Sequence, residues 1–564
     1  MTLEHRDTSA PASGATLRPA ILAIAALFAF IVLVQGISAP FEKDAEPQSA
    51  EWIQSIVRDG HWLIPHDAYG YTDRKPPLFY WLSALVADAT GGIVDEVRAR
   101  AVSVVAGTVL AVAVLAWTVA NVGAAEGWIA FLFMLGTYGF ASRATEALTD
   151  MLLTFLLVAA YCAIYPLLDA PTSFGSARRK IFVGAMLGLG ILTKGPVAIV
   201  LCALAVTIYL LIERRNPLAM LRERWPWQVV AIAITIGALW YVPATIVGGH
   251  KIVRIIFAEN FGHFMPAKLG GTGESYRPFY YIATRLLGSA LPMTLLIPPA
   301  VLAFYTSEIA PEKRRAVIYQ VSMSLAVLLF FSIASVKRDD YILPALPGIA
   351  ILCGSVFTLN VRGAASKLRD LVVALFVLSP ILLFVFLLLV PLHAHANLQS
   401  SDAAYNSILQ GELREHRGGV IDVALIWIVG LGIAIFALIR RNAVASAAAF
   451  GAVAVGFSLF WTATLRPAVA QARSLKSFVP IVADHVKADQ LCIPSGINYE
   501  LSYYYGSAVP DLTNQKCAYL IATPRELDAM TPEYRPRLKP VSKSNLIGGG
   551  GPPALFEISR EAAK

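Results

Sequence analysis

Residues 77–88, PLFYWLSALVAD, form a short apolar stretch, and whether it crosses a membrane decides how the rest of the chain is threaded. About 20 apolar residues are needed to span a bilayer as a helix, and this stretch falls well short. On either side lie longer apolar runs, at 19–38, 98–119, 126–141, 149–168, 181–193, 195–212, 227–247, 279–303, 316–335, 341–359, 371–392, 420–438 and 444–463. Apolar residues make up 57% of the 564 and charged residues 15%, with a mean hydropathy of +0.61. A soluble domain of this length would carry more charge. The composition and the runs together predict a polytopic α-helical membrane protein.

The basic residues orient it. Arg178-Arg179-Lys180, Arg214-Arg215 with Arg222 and Arg224, Lys313-Arg314-Arg315, Arg362 with Lys367 and Arg369, and Arg440-Arg441 fall at alternate connections. By the positive-inside rule these connections share the cytoplasmic side. Residues 1–18 are then cytoplasmic, and the chain from 39 to 97 stays outside, so 77–88 lies along the outer interface. Thirteen spans follow, those at 126–141 and 181–193 being the shortest. They divide the chain into a cytoplasmic N-terminus (1–18), a transmembrane domain (19–464) with the external loop 39–97, and an external domain (465–564). The first apolar run carries no clear small-residue cleavage site and reads as a retained span. The net charge of +8 sits in loops beside apolar segments, which is an orientation signal and not a nucleic-acid surface.

The last hundred residues alternate β-like runs, LCIPSG at 491–496, AYLIATP at 518–524 and ALFEIS at 554–559, with helix-compatible ones, and predict a small α/β domain. Thr523-Pro524-Arg525-Glu526 has the pattern of a capped helix start. Cys492 and Cys517 both fall here, and an oxidising compartment would let them pair. Cys162, Cys202 and Cys353 lie in apolar runs and read as packing residues.

Threading brings one set of ionisable residues to the outer boundary: Asp44, Glu46, Asp73, Arg74, Lys75, Arg98, Asp150, Lys194, Arg277, Arg338 and Tyr341. Each has an ordinary explanation alone. Asp44 can be a solvated loop acid, Lys75 a snorkelling lysine, and Asp150 a helix cap. Lys194, followed by the breaker Gly195-Pro196, is harder to dismiss. As a group, lysines and arginines at a lipid interface suit a phosphate, and carboxylates suit a base or orienting role toward a hydroxyl or amine. Histidines at 61, 66, 250 and 263 have no metal-ligand spacing, so no cofactor is called for, while an Asp or Glu site for a divalent metal stays open. No phosphate-loop or dinucleotide motif is present.

GHWLIPH at 60–66, KPPLFYWL at 75–82, TDMLLTF at 149–155, GILTKGPVAIV at 190–200 and YILPALPGIA at 341–350 resemble the bacterial GT-C glycosyltransferases. The similarity runs from about residue 20 to 360. It is strongest to the aminoarabinose transferases of lipid A and extends more distantly to protein O-mannosyltransferases. The resemblance implies a GT-C fold in the bacterial inner membrane with the site facing the periplasm. It implies transfer of a sugar from an undecaprenyl phosphate donor to lipid A or another envelope acceptor, the expected sugar being 4-amino-4-deoxy-L-arabinose. It places Asp44 at the catalytic acidic position, with Glu46 competing for it, and Asp150 at the second acidic position. Lys75 resembles the lysine that holds the lipid phosphate, with Lys194, Arg338, Tyr341 and Arg277 as further phosphate or lipid contacts. Transfer to a secreted protein is the variant within the class, and a lipid or sugar transporter the alternative outside it. A transporter would place ionisable groups near the midplane and often show an inverted repeat. Here they gather at one edge.

Overall fold

The computed structural model describes residues 16–42, 45–72, 75–173, 175–261, 277–334, 337–393, 417–513, 517–530, 535–546 and 551–559. Asp44, one of the expected site residues, lies outside the described residues. Five helices are long and apolar enough to cross a membrane: Glu96–Asn121, Thr149–Leu167, Arg224–Asn260, Pro311–Ile333 and Ala443–Arg473. Two bent helix pairs raise this to as many as seven among the described residues. Large apolar side chains stay uncovered on the lipid-facing sides, Ile246 being 75% exposed, as expected where hydrocarbon and not water is the neighbour.

The run at 77–88 forms the helix Leu78–Ala89. At 1.5 Å per residue it is about 18 Å long, too short for a roughly 30 Å hydrocarbon layer. It packs between the Ala45–Asp59 and Glu96–Asn121 helices and buries Phe79, Tyr80, Ser83, Ala84 and Ala87. The run at 181–193 belongs to a longer helix, Ser176–Lys194. That at 126–141 is two helices, Ala124–Leu135 and Tyr138–Ala144, bent by 64°. The expected span 279–303 is broken as well, into Tyr281–Ser289 and Met293–Thr306 at 103°. The helix Arg224–Phe261 runs far past 247, so residues 248–261, expected as external loop, are helical with an interruption at Gly249.

Close helix contact fixes the middle of the bundle. Gly184 and Gly188 put the Ser176–Lys194 helix directly against Ile232 and Ile236 of its neighbour. A Cβ at either glycine would stand 2.7 Å from an isoleucine Cβ, nearer than carbon atoms can come. Small residues spaced four apart are how membrane helices approach without a hydrophobic driving force. The helix ends at Lys194, where Gly195 turns the chain at φ +78° ahead of Pro196.

The helix Ala443–Arg473 passes the expected boundary at 464 and widens to a π-helical turn at Phe460–Leu465. Beyond it a four-stranded sheet forms from β1 (Leu491–Cys492), β2 (Tyr519–Ala522), β3 (Leu538–Lys543) and β4 (Ala554–Ile558), in the order β1-β2-β4-β3. The β1–β2 pair is parallel and the others antiparallel. The sheet has its own apolar cluster, including Phe478, Val482, Leu491, Leu501, Ile521 and Leu555. Cys492 and Cys517 form a disulfide, and the Thr523 capping box is present. Strand β3 had no counterpart in the sequence reading: Pro540 interrupts it, which an edge strand tolerates and a central one does not.

This C-terminal unit is bolted to the first loop. Tyr503 Oη donates to the Val94 carbonyl at 2.7 Å and Tyr504 Oη to Glu96 at 2.8 Å, where Lys476 Nζ also binds at 2.7 Å. Tyr69 Oη donates to the Val509 carbonyl at 3.1 Å, and Ser502 Oγ donates to the Glu51 carboxylate. Glu51 also accepts the Ala68 N–H, but burial dominates and pushes its pKa from 4.5 up to about 7. The folded protein therefore holds a proton that the unfolded chain releases from about pH 4.5, so stability falls as pH rises toward 7 and the loss is complete above it. The expected result is a melting temperature lower at pH 8 than at pH 5, by about 1 °C per kcal/mol of this linkage, because the unfolding entropy grows with chain length. Glu51→Gln should flatten the contribution, as measured by thermal unfolding in detergent. An identical pH slope in the variant would refute the assignment.

Candidate active site

Two motifs brace the loop that carries Lys75. Trp81 Nε1 donates to the Trp62 carbonyl at 2.6 Å, and Trp240 Nε1 to the Leu63 carbonyl at 2.8 Å. GHWLIPH and KPPLFYWL are thus tied to each other and to the Arg224–Phe261 helix. Lys75 stands at the start of the second motif, on the wall of a polar cavity of about 640 Å³. Lys194, Lys251, Arg338 and Tyr341 share that wall, with Glu259 the acid among them.

A second cavity, of about 360 Å³, is mostly apolar. Leu153, Val197, Val200, Leu201, Phe330 and Phe331 supply much of its surface. Lys194, Glu259 and Tyr341 line both cavities, and Asp150 lines the apolar one. An apolar chamber therefore meets a cationic one at a few shared residues.

Lys194 sits at the junction because its helix ends there. Gly195 follows at φ +78°, and a Cβ on it would run into the Asn260 side chain. The Lys194 ammonium reaches Asp150 Oδ1 at 2.5 Å and lies 4.8 Å above the Tyr341 ring. The Asp150 carboxylate is used on Lys194, and the Thr149–Ile164 helix has no side-chain cap, so the capping explanation for Asp150 falls away. Arg338 Nε contacts Asp340 at 3.2 Å, and Arg143, itself 2.5 Å from Glu146, reaches Asp340 at 3.6 Å. Burial would raise the Asp340 pKa, but Arg143, Arg338, Lys194 and Lys75 hold it at about 2. One fixed anion thus organises the cations around it.

The structure brings Lys75, Asp150, Lys194, Arg338 and Tyr341 together. It does not add Arg277, whose guanidinium lies 5.4 Å over the Tyr281 ring and away from both cavity linings. Glu46 goes elsewhere too. Its carboxylate is 2% exposed and accepts from Arg100 Nε at 2.8 Å, from Arg466 at 3.4 Å and from the Ala147 N–H at 2.8 Å. Burial by itself would raise its pKa, yet the two guanidiniums keep it at about 2. A carboxylate so occupied is a framework anion, without a lone pair left over for a substrate proton. Arg143, Asp340 and Lys251 were missed. Arg143 and Asp340 flank the motifs TDMLLTF and YILPALPGIA, and their charge amid apolar sequence was the available signal. Among the described residues no three His, Cys, Asp or Glu side chains converge in a way that could hold a metal ion.

Residues 65–256 match the family model of dolichyl-phosphate-mannose-protein mannosyltransferase. The chain is 29% identical over 354 residues to the undecaprenyl phosphate-alpha-4-amino-4-deoxy-L-arabinose arabinosyl transferase of Enterobacter sp. (strain 638), covering 59% of this chain and 60% of that one. The protein of the same description from Shewanella sediminis is 24% identical over 307 residues, 54% of each. The chain thus spans 60% and 54% of the lengths of these two relatives. The crystal structure of ArnT from Cupriavidus metallidurans bound to undecaprenyl phosphate superposes with a TM-score of 0.71 at 18% identity, over 96% of this chain and 98% of that one. Its apo form gives the same TM-score over 95% and 97%. The resemblance read from the motifs is therefore borne out: the chain has the fold of the ArnT structures and is similar in sequence to the aminoarabinose transferases.

Proposed function

We propose that the protein is a glycosyltransferase of the bacterial inner membrane that moves a sugar from an undecaprenyl phosphate donor to lipid A. The observation that carries the reading is the pair of chambers meeting at Lys194, Glu259 and Tyr341. A polyprenyl phosphate has the same two parts, an apolar chain and an anionic head. The apolar chamber suits the chain, and Lys75, Lys194 and Arg338 suit the phosphate, on which charge develops as it leaves. The relatives' names give 4-amino-4-deoxy-L-arabinose as the sugar. Asp150 orients Lys194 at the phosphate, and Asp44, just ahead of the Ala45–Asp59 helix, keeps the role of catalytic acid residue that the resemblance assigns. Glu46 serves the framework. The basic loops favour thirteen spans, with the cavities and the C-terminal unit facing the periplasm.

Lys75→Ala tests this reading. Turnover of undecaprenyl phosphate-linked aminoarabinose with purified lipid A should fall by about 10²–10³-fold, the size of effect seen when one preorganised charge-stabilising donor is removed. The protein should keep its melting temperature, since Lys75 stands on a cavity wall. Full activity in the variant would overturn the phosphate assignment. Mass spectrometry of lipid A from cells with and without the gene identifies the acceptor: an added aminoarabinose supports lipid A, and an unchanged lipid A rejects it.

A further inference from the structure

The donor's lipid fills the apolar chamber in the reading above, so the acceptor has to reach the sugar through the polar one. The walls of the polar chamber that the apolar chamber does not share, apart from the phosphate-holding Lys75 and Arg338, therefore meet the acceptor. Most of that wall comes from the first loop and the membrane helices, as Trp52, Tyr71 and Lys251 do. Two of its residues, Ile497 and Tyr499, come from the C-terminal unit, Ile497 lying 147 residues beyond the last motif of the family resemblance, which ends at residue 350.

Their position is built and not incidental. Tyr499 opens a short helix, Tyr499–Tyr505, that faces the first loop, and Gly496 at φ +79° turns the chain just ahead of Ile497. Glu500, the next residue, accepts from Ser474 Oγ at 2.6 Å and from the Leu475 N–H at 2.7 Å. Ser502, Tyr503 and Tyr504 then make the bonds to Glu51, Val94 and Glu96 described above. Tyr499 itself packs edge-on against Tyr69 of the loop, with ring centroids 5.9 Å apart. One helical turn thus fastens the C-terminal unit and presents an aromatic ring to the chamber. Tyrosine and isoleucine offer a broad, rigid surface with few torsions to freeze, suited to a partner with apolar and hydroxylated faces.

We infer that Tyr499 and Ile497 are specificity-determining residues for the acceptor, and that the C-terminal unit completes the acceptor side of the active site. This rests on the glycosyltransferase reading. It concerns acceptor binding alone and leaves the donor site as described.

The test is steady-state kinetics with the full-length protein in detergent, varying undecaprenyl phosphate-linked aminoarabinose and lipid A separately. Tyr499→Ala should raise the KM for lipid A about tenfold while the KM for the donor and kcat stay within twofold. Tyr499→Phe, which keeps the ring, should restore most of the wild-type KM. Ile497→Ala, which touches no bond of the interface, should move the acceptor KM in the same direction, and this keeps the test valid if Tyr499→Ala unfolds. An unchanged acceptor KM in Tyr499→Ala and Ile497→Ala, or an equal rise for donor and acceptor, would overturn the inference while leaving an active glycosyltransferase. Absence of sugar transfer by the wild-type protein would instead overturn the functional reading on which it rests.

Discussion

Glu46→Ala is expected to destabilise the protein by about 3–5 kcal/mol, the range for breaking a buried ion cluster from one side. Arg100 is fully buried and Arg466 nearly so, and neither guanidinium can lose its proton to escape the cost. Arg100 would keep its bonds to the carbonyls of Ile37, at 2.9 Å, and Ala39, but these neutral dipoles do not cancel its charge. The Ala147 N–H would lose its acceptor as well. The effect should appear as a large drop in melting temperature and in monodisperse protein after detergent extraction. Glu46→Gln, which keeps the shape without the charge, should fall between. Lost turnover at an unchanged melting temperature in Glu46→Gln would return Glu46 to the catalytic set.

Lys194→Ala should have the largest effect on turnover. It removes the cation at the meeting point of the chambers and strands the Asp150 carboxylate, 5% exposed, without its 2.5 Å partner. Loss of the charge alone should cost about 10²–10³ in kcat/KM. Lys194→Arg is expected to recover only part, because a planar fork replaces a point charge between Asp150 and the Tyr341 ring. Asp150→Asn separates the two residues' duties. If Asp150 only orients the lysine, the variant keeps measurable turnover and loses donor affinity. Near-wild-type rates for Lys194→Ala in an assay with labelled donor would remove Lys194 from the site.

The motif residues were legible because each combines charge with a helix end at one depth. Lys75 precedes two prolines, Lys194 precedes Gly-Pro, and Tyr341 precedes an apolar run, so threading alone places them at one boundary. Partnerships were not legible. Glu46 and Asp150 read alike as acids near the outer surface, yet one is locked by two arginines and the other holds the junction lysine. That difference depends on Arg466, which is 420 residues from Glu46 in the chain, and no local pattern carries it. Among the elements, single runs such as 279–303 concealed a sharp bend, because hydropathy reports how apolar a segment is and not its direction. The C-terminal wall of the polar chamber was hidden for the same reason as Arg466: it is made by tertiary docking.

The Glu46–Arg100–Arg466 cluster also bears on how the protein is made. Glu46 and Arg100 are 54 residues apart and can meet early, but Arg466 is carried on the last long apolar helix. At roughly 5–20 residues per second, it leaves the ribosome some 20–80 s after Glu46. Until then the cluster lacks its second guanidinium, whatever Glu46 and Arg100 have already formed. Insertion of the Ala443–Arg473 helix supplies it, so the floor beneath the first loop is complete only once that helix is in place.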